Sequence, residues 1–157
     1  NFMLTEARGM LHLATTENHL RRIGVDLIEP KNADHNTPRF GLPFDARFGI
    51  STGISTIDRA RTVQAALDSG AGPEDFVIPG HILPLAARPE GLAVRRGHTE
   101  GSVALAHLSG LFPAALMSEV MAPEGHMARG DELLAFARST GIDLIDVAQV
   151  SAAALAV

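Results

Sequence analysis

The chain has 157 residues, of which 46% are hydrophobic and 20% charged, and its net charge is −5. This length and balance predict one globular domain with its own core, and the acidic balance argues against a nucleic-acid partner. The lack of cysteine excludes disulfides and cysteine-zinc sites, and it fits the cytoplasm. No apolar run approaches the roughly 20 residues that span a bilayer, so no membrane partner is expected.

The first third of the chain predicts short elements around a long loop. Residues 2–8 resemble the end of a helix that Gly9 stops, and residues 10–15 alternate as a strand does. Residues 17–23 predict a short helix. Residues 30–43 have loop composition, and a loop of that length is often functional.

A helix is predicted over 57–70, capped by Ser55 or Thr56 and ended by Gly70. Its apolar face would comprise Ile57, Ala60, Val63, Ala66 and Leu67. Residues 76–87 read as two short extended pieces broken by Pro79 and Gly80.

The last third predicts further alternation of strands and helices. Residues 91–95 read as a strand, which a helix capped by Thr99 follows. Residues 114–121 read as a buried strand, residues 131–141 as a helix closed by Gly141, and residues 142–148 as a final strand. This irregular alternation favours a mixed sheet covered by helices.

The segment "VRRGHTEG" places unusually many polar groups together. Arg95 and Arg96 supply forked donors, Gly97 permits a tight turn, and Thr99 opens a helix whose free N–H groups attract anions. His98 adds a metal ligand or proton carrier. Composition alone nevertheless favours the simpler interpretation, a capped helix with solvated arginines.

Two other residues have both a structural and a catalytic interpretation. His81, in "PGHILPL", is either a hydrogen-bonded core histidine or a general acid or base, and taken alone the core interpretation is favoured. Glu119, in "ALMSEVM", is either a buried carboxyl suited to proton transfer or a solvent-facing residue at a strand end. Asp58 and Arg59 open a helix as an ordinary first-turn acid and a surface arginine. The seven histidines show no HExxH spacing, so a zinc site on one helix is not indicated.

Four segments in order resemble one enzyme family. They are "GISTGISTIDRARTVQAAL", "PGHILPLAAR", "VRRGHTEGSVALAHLSGLFPAALMSEVM" and "EGHMARGDELLAFA". Their order and spacing are similar to those of 3,4-dihydroxy-2-butanone 4-phosphate synthase, an enzyme of riboflavin biosynthesis. The similarity extends from about residue 1 to about residue 147. It implies an α+β fold, a three-layer α/β/α sandwich on a mixed sheet, over residues 1–157 as a single domain.

The resemblance also implies an activity. Family members convert ribulose 5-phosphate to formate and 3,4-dihydroxy-2-butanone 4-phosphate, through an enediol, a carbon-skeleton shift and loss of one carbon. They use Mg²⁺, with Mn²⁺ as the alternative, and they are cytoplasmic homodimers with sites near the subunit interface.

The resemblance assigns roles to particular residues. His81 and Glu119 would be catalytic, and His98 would be the magnesium ligand. The residues that would hold substrate are Arg95, Arg96, Gly97, His98, Thr99, Glu119, Thr52, Asp58 and Arg59. The turn 51–55 would lie beside this site.

The sequence differs from the family pattern in three ways that bear on its expected activity. An N-terminal acidic loop of the pattern DDEDRENEGD, which supplies a metal-binding glutamate and substrate contacts, does not occur in this sequence. Ser118 occupies the position where the family usually has cysteine, and "APEGHMAR" replaces the family's usual "DDGTMAR". We therefore expect an N-terminally truncated synthase, without its N-terminal strands and inactive alone. The alternatives are a non-catalytic sugar-phosphate binding or interaction module, and the synthase half of a fusion to GTP cyclohydrolase II, which would lie outside this chain.

Overall fold

The computed structural model describes residues 1–155 and contains one mixed sheet. Within that range the strands are β1 (His12–Thr16), β2 (Arg39–Phe40), β3 (Phe44–Ala46), β4 (Phe76–Ala87) and β5 (Ala115–Met117). The α-helices are α1 (Glu17–Arg22), α2 (Thr56–Leu67), α3 (His98–Leu108), α4 (Asp131–Thr140) and α5 (Val147–Ala154). The fold class is α+β with a mixed sheet, as the resemblance implied.

The sheet has the order β2-β4-β1-β5, and β3 pairs with the first part of β4. β1 runs parallel to β4, whereas β2, β3 and β5 run antiparallel to their neighbours. One row across the sheet contains Leu83, His12 and Met117. Because side chains alternate along a strand, these three point to the same face of the sheet.

The main core lies on the other face. Leu11 and Leu13 of the β1 segment are buried there with Leu20 of α1 and with Val63 and Ala66 of α2. Leu13, Leu20 and Ala66 are each at most 1% exposed. α3 contacts β1, β4 and β5 and borders a cavity that Thr16 and Ala87 also line. Thr16 and Ala87 point away from the main core, because side chains alternate along a strand and the neighbouring positions face that core. α3 therefore covers the face of the sheet opposite the main core.

The structure confirms several elements predicted from sequence. β1, α1, α2, α3 and α4 all form, with ends that differ by a few residues from the predicted ones. Ser55 caps α2, its side chain accepting a hydrogen bond from the Asp58 N–H at 3.0 Å. Gly141 ends α4 with a φ of 70°. These ends follow local rules of capping and of left-handed backbone, which the sequence expresses directly.

Four predictions are wrong. Residues 142–148 form no strand, because Asp146 and Gln149 make a capping box that starts α5. Residues 91–95 form no strand either, and Gly91–Ala93 is a turn of 3₁₀ helix. Residues 76–87 are one continuous strand rather than two pieces. α3 begins at His98 with Gly97 as its N-cap, so Thr99 is its second residue and not its cap. The helix predicted near the N-terminus does form, over Met3–Ala7 with π-helical hydrogen bonding, but Arg8 rather than Gly9 ends it, with a φ of 66°.

Burial also departs from the helical pattern in α2. Ile57 was predicted to lie on the apolar face, but it is 68% exposed. Asp58 and Thr62 are buried instead, because each side chain receives hydrogen bonds from backbone N–H groups of the 45–53 region. Within residues 1–155 no helix is long and apolar enough to cross a membrane.

His19 on α1 predicts an acid-sensitive fold. The residue is 5% exposed, and its ring packs edge-on against the Phe112 ring with 4.8 Å between the ring centroids. The buried Nε2 has no hydrogen-bond partner among residues 1–155. Burial, and then the charge of Arg22, lowers the pKa of His19 from 6.5 to about 4. Between pH 4 and pH 6.5, His19 therefore binds a proton in the unfolded chain but not in the folded chain. Stability should therefore fall by up to about 3 kcal/mol as pH decreases from 6.5 to 4.

Urea unfolding between pH 4 and pH 7.5 measures this loss. The matched variant is His19→Gln, which keeps a polar side chain but does not titrate. The variant should show a shallower decline over the same pH range. Equal declines in the two proteins would show that His19 is not the group responsible.

Candidate active site

His81 forms a close pair with Asp45. Asp45 is 7% exposed on β3, and its Oδ2 lies 2.6 Å from His81 Nδ1. Its Oδ1 accepts the backbone N–H of His81 at 3.0 Å. The carboxylate thus fixes the ring and favours the proton on Nδ1, which leaves Nε2 as the free acceptor. The His81 side chain is 40% exposed, so it is accessible to a substrate. This arrangement suits a general base.

The turn 51–55 closes over the pair. Gly53 is buried with a φ of +85°, and a Cβ built there would overlap Asp45 Oδ2 and lie 2.7 Å from His81 Nδ1. Asp58 holds the turn, since its Oδ2 accepts the Ser51 hydroxyl at 2.7 Å and the Gly53 N–H at 3.1 Å. The hydrogen bond from the Ser51 hydroxyl holds the pKa of Asp58 below its ordinary value. The Asp58 carboxylate is therefore committed to shaping this turn.

Gly53→Ala should disrupt this part of the site. The added methyl group meets both members of the pair, and alanine is strained at positive φ, so we expect a loss of about 2–3 kcal/mol of stability and a fall in activity. Gly125→Ala is the matched control, because Gly125 has a φ of +92° but a methyl group there would have nothing within 4 Å. Urea unfolding and turnover measure both effects. Equal losses in the two variants would show that backbone strain alone is responsible.

Thr52 and Arg59 lie in the same region. Thr52 is exposed on the turn, and Arg59 is half-buried in the first part of α2. The Nε of Arg59 is buried and has no hydrogen-bond partner within residues 1–155. Their assignment as substrate contacts stays a prediction.

Glu119 lies at the same end of the sheet as His81. It follows β5, and its Oε2 accepts the Met10 N–H at 2.9 Å. Continuing the β1–β4 register places His81 beside Met10, and the contacts of Glu119 with Met10 and His12 place it on the same face, about two strand spacings or 10 Å from His81. The Glu119 side chain is 44% exposed, so the burial considered from the sequence is wrong. Its Oε1 is 3.9 Å from Nδ1 of the buried His12.

Arg95 belongs to a second group of polar residues. Its Nη1 donates to Oε2 of Glu100 at 2.5 Å, and Glu100 is 2% exposed. Oε1 of Glu100 accepts the backbone N–H of Arg88 at 3.1 Å, at the far end of β4. A cavity of about 690 Å³ borders this group, between α3, α5 and the 3₁₀ turn.

The rest of "VRRGHTEG" surrounds the start of α3. Gly97 is the N-cap and offers no side-chain cap to the first N–H groups of the helix. His98 and Arg96 are exposed, and Thr99 is 5% exposed. The free N–H groups, the helix dipole and the arginines make this turn suited to an anion.

The residues present do not by themselves fit a magnesium site. Mg²⁺ takes about six ligands, nearly all oxygen, and His98 offers one nitrogen. The acidic side chain that shares a small cavity with His98 is Asp146, whose Oδ1 already caps α5 at 2.7 Å. Within residues 1–155 the one group of three metal-ligating side chains is Glu124, His126 and Glu132, which are exposed and do not include His98.

The structure therefore separates the predicted site residues into two groups. The His81 group comprises His81, Asp45, Gly53 and Glu119 at one end of the sheet. The Arg95 group lies at the other end, because Glu100 contacts Arg88. Six residues of β4 lie between His81 and Arg88, a separation of roughly 20 Å. One copy of the chain does not bring the two groups together.

Sequence reasoning missed Asp45 and Glu100. Asp45 is 36 positions from His81, and only the pairing of β3 with β4 brings them together. From sequence alone Glu100 is only an acid in the first turn of a predicted helix, where it is favourable against the helix dipole. The signal available was an acid five positions after Arg95, in the first turn of the helix that follows it.

Comparison with known proteins identifies the family. The sequence profile of 3,4-dihydroxy-2-butanone 4-phosphate synthase matches residues 1–153. The chain belongs to this family. A 3,4-dihydroxy-2-butanone 4-phosphate synthase from Pseudomonas syringae is 43% identical over 150 residues, which cover 96% of this chain and 41% of that protein. The riboflavin biosynthesis protein RibBA of Synechocystis is 43% identical over 152 residues, 96% of this chain and 27% of that protein.

A solved synthase structure has the same fold. It is described as 3,4-dihydroxy-2-butanone 4-phosphate synthase in complex with two magnesium ions, and it superposes with a TM-score of 0.86 at 32% identity. The superposition covers 93% of this chain and 73% of that one. The chain thus spans less than half the length of the two curated relatives above and most of the length of this solved synthase.

Proposed function

We propose that the protein containing this chain is a 3,4-dihydroxy-2-butanone 4-phosphate synthase, which converts ribulose 5-phosphate to formate and 3,4-dihydroxy-2-butanone 4-phosphate. The observation that carries the proposal is the pair of His81 and Asp45, an oriented and accessible base on the same sheet face as Glu119. A protein that only bound sugar phosphates would have no use for such a base.

The Arg95 group is the proposed anchor for the substrate phosphate. The N–H groups at the start of α3 and the Arg95 guanidinium are donors suited to a dianion. Arg96, Gly97, His98 and Thr99 complete the turn, and they are proposed to contact substrate as the family resemblance implies. An anchored phosphate fixes where the reacting carbons lie.

The His81 group is proposed to move protons. Nε2 of His81 would remove a proton from a carbon beside the ketone of ribulose 5-phosphate, which gives the enediol. The Asp45 carboxylate would stabilise the resulting imidazolium. Glu119 would transfer protons during the later shift of the carbon skeleton. Thr52, Asp58 and Arg59 would shape the turn over the reacting carbons.

A divalent metal is part of the proposal for the whole protein, with His98 as one ligand. The carboxylates that would complete an oxygen-rich site do not occur beside His98 in residues 1–155, so no step is derived through the ion. Mg²⁺ is the proposed ion and Mn²⁺ the alternative. We further propose that residues 1–157 alone, a single synthase-like domain, release no formate.

A homodimer would bring the two groups together. A twofold arrangement can place the Arg95 group of one copy beside the His81 group of another, because a twofold interface pairs different residues across its axis. We place the protein in the cytoplasm, with no nucleic-acid or membrane partner. A fusion to GTP cyclohydrolase II would lie outside this chain.

Formate release tests the function. The full-length protein is incubated with ribulose 5-phosphate and Mg²⁺, and formate is measured by a coupled formate dehydrogenase assay. Release that depends on both substrate and protein is expected. A folded full-length protein that releases no formate with either Mg²⁺ or Mn²⁺ would rule out the synthase assignment.

A further inference from the structure

Glu100 is a buried charge with two partners and no contact with the His81 group. It is 2% exposed, and its two oxygens accept from the Arg95 guanidinium at 2.5 Å and from the Arg88 backbone N–H at 3.1 Å. An ionised carboxyl at this depth requires a cationic partner, and removing that charge would leave Arg95 without its counter-ion. The pair therefore fixes where the guanidinium lies.

The Arg95 guanidinium lies directly against Gly97. A Cβ built on Gly97 would overlap Nη1 of Arg95 and lie 2.7 Å from Oε2 of Glu100. The ion pair is thus packed directly against the N-cap of α3. Only a residue without a side chain leaves room for the guanidinium at the end of the helix where the free N–H groups are.

Arg95 still has donors to offer. A guanidinium has five N–H groups, of which Glu100 takes one and the carbonyl oxygen of Asn36 takes another at 3.1 Å. The other three have no partner in the described part of the chain, residues 1–155, and the side chain is 15% exposed. Arg95 is held in position but retains the capacity to bind an anion.

The same contacts attach a loop to this turn. Arg95 Nε donates to the Asn36 carbonyl, and Arg88 Nη2 donates to the His35 carbonyl at 3.2 Å. Since Glu100 binds the side chain of one arginine and the backbone of the other, it lies at the centre of these contacts. Residues 29–38, the loop before β2, are therefore linked to the proposed phosphate anchor through two arginines, both of which Glu100 binds.

We propose that Glu100 is a positioning residue, which holds Arg95 against the N-terminus of α3 for phosphate binding and attaches loop 29–38 to that anchor. This inference rests on the proposed function, in which Arg95 binds the substrate phosphate. Glu100 itself touches no substrate. It acts through Arg95, so its loss should weaken binding more than it slows the reacting step.

The test uses the full-length protein and two variants that break the pair differently. Glu100→Gln removes the charge, and Gly97→Ala displaces the guanidinium without changing any charge. Both should raise the Kd for inorganic phosphate, measured by calorimetry, and the KM for ribulose 5-phosphate by about 10-fold or more, with kcat changed by less than about threefold. Hydrogen exchange in loop 29–38 should also become faster.

Matched controls separate positioning from general damage. Glu132→Gln removes the same charge from the exposed pair with His126. Gly101→Ala adds a methyl group to the same helix, where it would meet Val147 at an ordinary 3.7 Å. Both controls should bind phosphate as the wild type does. Circular dichroism checks folding, and if Glu100→Gln does not fold, Glu100→Asp, which keeps the charge but shortens its reach to Arg95, takes its place.

Arg95→Ala distinguishes this inference from the function on which it rests. If Arg95→Ala weakens phosphate binding while Glu100→Gln and Gly97→Ala bind like the wild type, the positioning role is wrong and the phosphate anchor stands. If Arg95→Ala binds phosphate as the wild type does, the anchor itself is wrong and the inference fails with it.

Discussion

Replacing His81 with Asn in the full-length protein should lower kcat for formate release by about a thousandfold, while KM changes by less than about threefold. The expected loss follows from the position of Nε2, the free nitrogen of a ring that Asp45 holds at 2.6 Å. Asparagine keeps a polar group and can still bond to Asp45, but it cannot take up a proton. Phosphate binding should be unchanged, because the proposed anchor consists of the N–H groups at the start of α3 and the Arg95 guanidinium, and His81 supplies none of these donors.

His107→Asn is the matched control, since His107 is an exposed residue near the end of α3. It should leave kcat and KM unchanged. Steady-state kinetics and phosphate calorimetry on both variants check the prediction. If His81→Asn instead weakened phosphate binding and left kcat intact, His81 would be a binding residue and its proposed role would be wrong.

Replacing Glu119 with Gln in the full-length protein should also lower kcat for formate release, by about a hundredfold or more. Its Oε2 accepts the Met10 N–H at 2.9 Å, a bond that the glutamine carbonyl oxygen can also accept. The substitution therefore keeps the side chain in place and removes its capacity to transfer protons. A purely structural role would predict little change.

Glu124→Gln is the control for Glu119, because Glu124 is an exposed glutamate a few residues further along. Initial rates of formate release over a range of ribulose 5-phosphate concentrations separate kcat from KM. A Glu119→Gln enzyme with wild-type kcat would exclude Glu119 from proton transfer.

The elements predicted correctly from sequence are those whose signals are local. Ser55 caps α2 and Gly141 ends α4 through contacts within a few residues. The false strand over 142–148 shows the limit of reading periodicity alone. Its apolar residues suit a strand, but the capping box of Asp146 and Gln149 starts a helix at that point.

The candidate site could be predicted only in part, because its decisive contacts are long-range. The sequence pointed to His81 and Arg95, yet it did not reveal the carboxylates that orient them. Asp45 meets His81 across the pairing of β3 with β4, and Glu100 meets Arg88 only after α3 packs back against the end of β4. Nor did the sequence show that the two groups lie at opposite ends of one sheet.

The most direct test of a site shared between two copies is to mix two inactive enzymes. Full-length His81→Asn lacks the base, and full-length Arg95→Ala lacks the phosphate anchor, so each should release little formate alone. If one site takes its base from one copy and its anchor from another, subunit exchange should restore up to about a quarter of wild-type activity. No recovery, when native mass spectrometry shows that the two variants have exchanged subunits, would contradict the shared site.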